Sequence, residues 1–219
     1  MKARFVFLAI AVVLLACGSY YGLAVAPPDA MMGDVQRIMY VHVPCAWIAF
    51  VAFFLCFLAS GAWLIWRRFW IDAVAESLAE VGVLFNVLLL GTGMIWGRPT
   101  WGVYWTWDPR LTTAAIMCFM FAAYLGLRQF NDDPEKRATF AAIYAIFASA
   151  NLPLVWFSVR WWRTLHQMQS SPETVSHTMV IPLRINAFAM LAFLIFFVWQ
   201  RALIAFSRTA RQLAPESAA

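Results

Sequence analysis

The sequence predicts an all-α integral membrane protein, a bundle of about six transmembrane helices. Three observations predict it. The chain has 219 residues, of which 63% are hydrophobic and only 12% charged. Its mean hydropathy is +0.72. The apolar residues gather in runs long enough to cross a bilayer, which takes roughly 20 residues in a helix. A soluble domain is closer to half apolar and a quarter charged. A compact bundle of spanning helices therefore fits the composition and a soluble core does not.

The runs, in order, are Phe5 to Ala26, Val43 to Trp66, about Ala79 to Trp96, Thr112 to Phe130, Ala138 to Val159 and Ile181 to Phe206. The first follows Lys2 and Arg4 and contains Leu14-Leu15-Ala16-Cys17-Gly18, which looks like a lipoprotein cleavage signal. Its apolar character continues to Ala26, longer than a signal core, so it reads as an uncleaved anchor. The third run is preceded by Asp72, Glu76 and Glu80 at i, i+4, i+8. That spacing predicts an acidic stripe on one helical face, read as a solvated interfacial face, with a subunit contact as the alternative. The whole of 1–219 reads as one membrane domain, with a frayed tail after about residue 208.

Lys and Arg placement sets the expected orientation. With the N-terminus inside, the inner segments carry Arg67, Arg68, Arg128, Lys136, Arg137, Arg201, Arg208 and Arg211 besides Lys2 and Arg4. The outer segments carry the smaller set of Arg37, Arg98, Arg110, Arg160, Arg163 and Arg184. The positive-inside rule then puts both termini in the cytoplasm. The outer loops are expected at about 27–42, 97–111 and 160–180. A net charge of +5 needs no nucleic-acid partner, because cytoplasmic loops supply such an excess and no recognisable nucleic-acid module is present. The four cysteines, Cys17, Cys45, Cys56 and Cys118, form no C-x-x-C pair, which argues against a disulfide framework, a zinc site or c-type haem attachment.

The residues with chemical potential fall on the expected outer side. His42 opens the second run, and His166 lies just beyond the fifth, in Trp161-Trp162-Arg163-Thr164-Leu165-His166-Gln167. A histidine at the membrane boundary is a candidate functional residue. His177 sits in a polar stretch and reads as a solvated loop histidine. Between His42 and His166 lies a segment that gathers Trp101, Tyr104, Trp105 and Trp107, closed by Asp108 and Arg110. An interfacial aromatic belt accounts for one or two such tryptophans, not for this density beside a fixed cation. A flat, large, apolar ligand with anionic edges and an axial metal suits the set, and haem meets that description. Aromatic faces pack on a porphyrin, Arg37 and Arg110 can pair with propionates, and His42 and His166 can ligate iron.

The run Trp-Gly-x-x-Trp-x-Trp-Asp-x-Arg-Leu-Thr, from Trp101 to Thr112, resembles the signature of the haem-handling "WWD" proteins. With Arg37 to Pro44, Trp161 to Gln167, Asn151-Leu152-Pro153 and Pro182-Leu183-Arg184, the chain is similar over nearly its whole length to the CcmC family of cytochrome c maturation system I. CcmF and CcsA-type proteins share the Trp-rich loop, but the former is longer and has additional membrane-embedded histidines. The resemblance implies a multi-pass protein of the bacterial inner membrane with its Trp-rich loop and haem site facing the periplasm. It implies binding of haem b and its presentation to the haem chaperone CcmE, whose own histidine then bonds a haem vinyl group. It also implies an ABC-type membrane complex with CcmA, CcmB and CcmD. The family's axial histidines map onto His42 and His166, its motif arginines onto Arg37 and Arg110, and its aromatic and acidic motif positions onto Trp101, Trp105, Trp107 and Asp108. His177 matches no family motif. Pro109 stands where a small non-proline residue is expected, and Tyr104 where a tryptophan is common.

Three other functions compete with this one. Haem export as a permease would need a partner ATPase, because the chain holds no G-x-x-x-x-G-K-[ST] motif; no hydrolytic motif is recognisable either. A b-type electron carrier would need histidine pairs at two depths of the membrane. A purely structural subunit would hold no haem.

Overall fold

The computed structural model describes residues 2–166 and 175–214. Helix α1 (Lys2–Tyr20) runs on through a single π turn, Tyr21–Val25. A 3-10 turn, Asp34–Ile38, leads into α2 (Met39–Trp66). Then follow α3 (Phe69–Trp101), α4 (Pro109–Leu127), α5 (Pro134–Ser149), α6 (Asn151–Trp161) and α7 (His177–Leu213). No strand occurs among the described residues. Among the described residues six stretches are long and apolar enough to cross a membrane, with α5 and α6 together forming the fifth, Pro134–Trp161. The predicted all-α membrane bundle is the observed fold.

Turn and cap chemistry explains where the helices stop. Arg67 takes a left-handed φ of 51°, and its amide closes on the Trp63 carbonyl, so α2 turns directly into α3. α4 and α5 start alike. Asp108 and Asp133 are N-caps, each followed by a proline in the first helical position. There the missing N–H costs nothing and the fixed φ is already helical. Pro109 is thus a helix initiator, and Arg110 belongs to the first turn of α4 rather than to a loop.

α2 lies at the centre, packed on α3, α5 and α7, while α1 packs on α7. The core layers Cys45, Ala52, Phe53 and Cys56 of α2 against Leu78 and Phe85 of α3, Phe121 and Tyr124 of α4 and an alanine face of α5. Phe53 and Phe121 stack with ring centres 4.0 Å apart. Small residues let the backbones approach, as expected in lipid where packing rather than water exclusion drives association. At Gly82, an added Cβ would lie 2.6 Å from Cε1 of Phe53.

The helix ends depart from the expected bounds. α3 has 33 residues and begins at Phe69, ahead of the acidic stripe, and ends on Trp101. Two of the stripe's three carboxylates are not solvated: Asp72 and Glu76 are buried, while Glu80 stays partly exposed. Arg128, at the end of α4, forks onto Asp72 with two bonds of 2.7 Å and reaches Glu76 at 2.9 Å. Arg208 of α7 pairs with Glu76 at 2.5 Å, and Arg201 with Glu80 at 2.5 and 2.6 Å. The acidic face of α3 is an ion-pair seam joining α3, α4 and α7. The expected tail continues α7 to Leu213. Residues 167–174, the middle of the expected third outer loop, and 215–219 lie outside the described residues.

Candidate functional site

One end of the bundle opens into a cleft of about 280 Å³ between α2, α3, α4 and α6. Phe53, Asn86 and Met117 form part of its floor, and Trp47, Trp96, Trp101, Trp105 and Trp156 stand in its walls. His42, Arg110 and His166 also line it.

His42 sits in the first turns of α2 and is buried. Its Nδ1 lies 3.1 Å from Oγ1 of Thr92 on α3. That hydroxyl donates to the Leu88 carbonyl at 2.7 Å, which leaves its lone pair to accept from an Nδ1–H. With Nδ1 as the donor, Nε2 is left unprotonated, as a metal-ligating imidazole requires. Gly93 makes room beside the ring, since a Cβ there would stand 3.0 Å from Cε1 of His42. Trp96 meets the ring edge-on at 5.5 Å.

His166 reaches the cleft from the irregular segment that follows α6. Its Nδ1 is buried and has no hydrogen-bond partner among the described residues. Burial, then the charge of Arg110, lowers its pKa to about 4, so the ring is neutral and carries a free lone pair at physiological pH. Trp101, in the last turn of α3, lies 5.2 Å from it. The two imidazoles have ring centres 6.4 Å apart and planes tilted by 33°.

Arg110 lines the cleft and donates one N–H to the Val155 carbonyl of α6 at 2.6 Å. Trp105 lines it too, and Trp107 meets Trp105 edge to face at 5.9 Å. Trp107 itself is 82% exposed and is not part of the lining. Nor is Arg37, which pairs with Asp34 at 2.8 Å and donates to the carbonyls of Gly22 and Ala26, tying the end of α1 to the start of α2. Asp108 is buried behind the wall. Its Oδ1 accepts from Arg110 N and Thr164 Oγ1, both at 2.8 Å, and its Oδ2 from Leu165 N at 2.7 Å. Burial pushes its pKa up, but the bonds from Thr164, Leu165 and Arg110 outweigh it and hold the carboxyl below its usual range. His177 is exposed at the start of α7 and does not line the cleft.

Sequence reasoning did not single out Thr92, Gly93, Asn86 or Trp96. The signal for the first two was Gly91-Thr92-Gly93, a break in an otherwise apolar helix.

The residues present suit a porphyrin-bound iron. A metal–imidazole bond is about 2.0 Å, so two imidazoles on opposite sides of one ion hold their ring centres about 6 Å apart. The observed 6.4 Å matches that span. Among the described residues no three His, Cys, Asp or Glu side chains gather as a metal site of their own. A macrocycle would supply the remaining ligands of a metal held by this pair, and the flat indoles offer such a ring its faces.

The chain is similar over nearly its whole length to proteins of one family. Residues 1–214 match the family model described as CcmC, Heme exporter protein C. "Heme exporter protein C" of Bradyrhizobium diazoefficiens is 40% identical over 182 residues, 81% of this chain and 69% of that protein. The protein of the same name in Haemophilus influenzae is 36% identical over 200 residues, 91% of this chain and 80% of the relative. A "Putative cytochrome c biosynthesis ccmC-like mitochondrial protein" of Marchantia polymorpha is 35% identical over 190 residues, 84% of this chain and 80% of the relative. The chain belongs to the CcmC, or haem exporter protein C, family.

Proposed function

We propose that this chain binds haem b in the cleft, with His42 and His166 as axial ligands, and hands it to the haem chaperone CcmE for c-type cytochrome assembly. The observation that carries the reading is the pair of imidazoles with ring centres 6.4 Å apart in a tryptophan-walled cleft. The names of the relatives, which speak of haem export and cytochrome c biosynthesis, support it.

In this reading haem is cargo, and the protein supplies position and electrostatics. His42, on a rigid helix with its Nδ1 bonded to Thr92, offers Nε2 to the iron. His166 closes the opposite face. Trp101 and Trp105 pack on the ring, and Trp107, exposed beside Trp105, lies at the edge a chaperone reaches. Arg110 keeps donors for a propionate after its bond to Val155. Arg37 supports the junction of α1 and α2. The cleft faces the periplasm across the inner membrane, and the chain works within an ABC-type complex with CcmA, CcmB and CcmD.

The test is the absorption spectrum of the protein purified in mild detergent, beside His42→Ala, His166→Ala and His177→Ala. A low-spin haem spectrum lost or altered in the first two and unchanged in the third is expected. Wild-type protein that takes up no supplied haem would overturn the reading. Wild-type haem retained unaltered in both of the first two variants would remove the ligand assignment. Delivery is read by adding purified CcmE and following haem into the chaperone. Haem uptake into sealed vesicles holding this chain alone would favour transport instead.

A further inference from the structure

Asp108 is the acidic residue of the Trp-rich motif, and its neighbours Trp105 and Arg110 line the cleft while Asp108 does not. The question is what a buried carboxylate does there. Taking a charge out of water is costly unless strong hydrogen bonds replace hydration. Those bonds identify its role, because they join two elements far apart in sequence. Arg110 N belongs to the first turn of α4, whereas Thr164 and Leu165 belong to the segment that carries His166. Thr164 extends the chain of bonds: its oxygen donates to Asp108 at 2.8 Å and accepts the backbone N–H of His166 at 3.0 Å.

We infer that Asp108, through Thr164, is a positioning residue that clasps the His166 segment onto the N-terminus of α4 and so aims His166 across the cleft at His42. The inference rests on the haem-binding reading and refines it: the motif aspartate does not touch the cargo.

The physical need is plain. His42 has its direction fixed by α2 and by Thr92. His166 follows the end of α6, where Trp162 is already extended. A ligand on irregular backbone must be ordered by bonds from outside its own segment, and such supporting partners strongly affect how well a metal is held. Asp108 provides two of them from one carboxylate, and charge-assisted bonds of this kind are short and strong. The side chain is specific for the task. Asparagine keeps an acceptor for one bond but turns an NH2 group toward either Thr164 or the Leu165 amide. Glutamate, one methylene longer, displaces both contacts.

The experiment compares Asp108→Ala, Asp108→Asn, Thr164→Val and His166→Ala with wild type, all full-length in detergent. Two readouts are taken. The first is the haem spectrum with and without added imidazole. The clasp variants are expected to lose the six-coordinate low-spin spectrum in favour of a five-coordinate high-spin one held by His42. Added imidazole restores the low-spin form in them as it does in His166→Ala. The second is hydrogen exchange of the Leu165 amide in haem-free protein, expected at least about tenfold faster in Asp108→Ala, as for loss of a bond to a charged acceptor. An unaltered low-spin spectrum together with wild-type exchange in Asp108→Ala and Thr164→Val overturns the inference. So does complete loss of haem in Asp108→Ala and Asp108→Asn that imidazole does not rescue while Thr164→Val stays low-spin, because Asp108 would then hold the cargo itself. If Asp108→Ala does not fold, Asp108→Asn and Thr164→Val carry the same comparison. Absence of haem from wild type is the separate failure of the haem-binding reading, and Leu165 exchange still decides whether the clasp exists.

Discussion

Arg128→Met removes the hub of the ion-pair seam between α3, α4 and α7, and the structure fixes what each partner loses. Arg128 is 4% exposed and makes two bonds of 2.7 Å to Asp72 and one of 2.9 Å to Glu76. Without it Glu76 still has Arg208 at 2.5 Å, but Asp72 loses both bonds of its fork while remaining buried. Breaking a buried pair from one side costs about 3–5 kcal/mol, mostly for the stranded charge. Arg201→Met, by contrast, breaks a pair whose side chains are 45% and 24% exposed, and such pairs contribute about 0–1 kcal/mol. The assay is reversible unfolding in mixed detergent micelles, followed by helical circular dichroism. The double variant Arg128→Met with Asp72→Leu removes the stranded carboxylate and should recover at least about 1–2 kcal/mol of the single variant's loss. A loss for Arg128→Met no larger than that for Arg201→Met would refute the reasoning. So would a double variant as unstable as Arg128→Met, since the cost would then not come from an unpaired Asp72.

Gly82→Ala should destabilise by about 1–3 kcal/mol, the usual cost of overpacking, because its Cβ would fall 2.6 Å from Phe53 in the central layer; Gly61→Ala, with nothing within 4 Å, is the control, and melting both in parallel checks the contrast. Thr92→Val removes the partner of His42 Nδ1 and should weaken haem binding about 10–100-fold, while Thr92→Ser retains it; haem titration followed by absorbance measures this, and equal affinities for the two variants would contradict it. Gly93→Ala places a Cβ 3.0 Å from His42 Cε1 and should tilt that imidazole, seen as a shifted low-spin spectrum with protein stability little changed.

The spans were legible because hydropathy is a local property, carried by the chain in each window. Their ends were not, because they depend on partners. Asp72 and Glu76 read as a solvated helical face ahead of the apolar run that begins at about Ala79, whereas α3 starts ten residues before that run, at Phe69, and buries both. What buries them is Arg128 and Arg208, 52 to 132 positions along the chain. A sequence window sees the cost of burying a carboxylate and not the cation that offsets it. The break between α5 and α6 was hidden for a similar reason: Asn151, right after it, donates to the Thr113 carbonyl of α4 at 2.8 Å, a tertiary bond that no apolar run displays.

The site divides along the same line. His42, His166, Trp101, Trp105 and Arg110 could be picked out by residue type, because each stands at a membrane boundary where its chemistry is conspicuous, and all five line one cleft. Asp108 was picked out as well, but for contact with the ligand. Its two strongest clues pointed elsewhere. One was local: Asp108-Pro109 has the same form as Asp133-Pro134, and an Asp-Pro pair ahead of an apolar run marks a helix N-cap. The other was beyond reach, since the donors that complete its carboxylate lie 56 and 57 residues downstream. Thr92 gives no local signal of its role, because a hydroxyl in an apolar helix commonly satisfies itself on the preceding turn, and Thr92 does so through Leu88. Only the approach of α2 shows that the same oxygen has a lone pair left for His42. Residues that could bind a ligand advertise themselves by type, whereas residues that hold those in place do so by which distant groups they satisfy. That knowledge comes only with the fold.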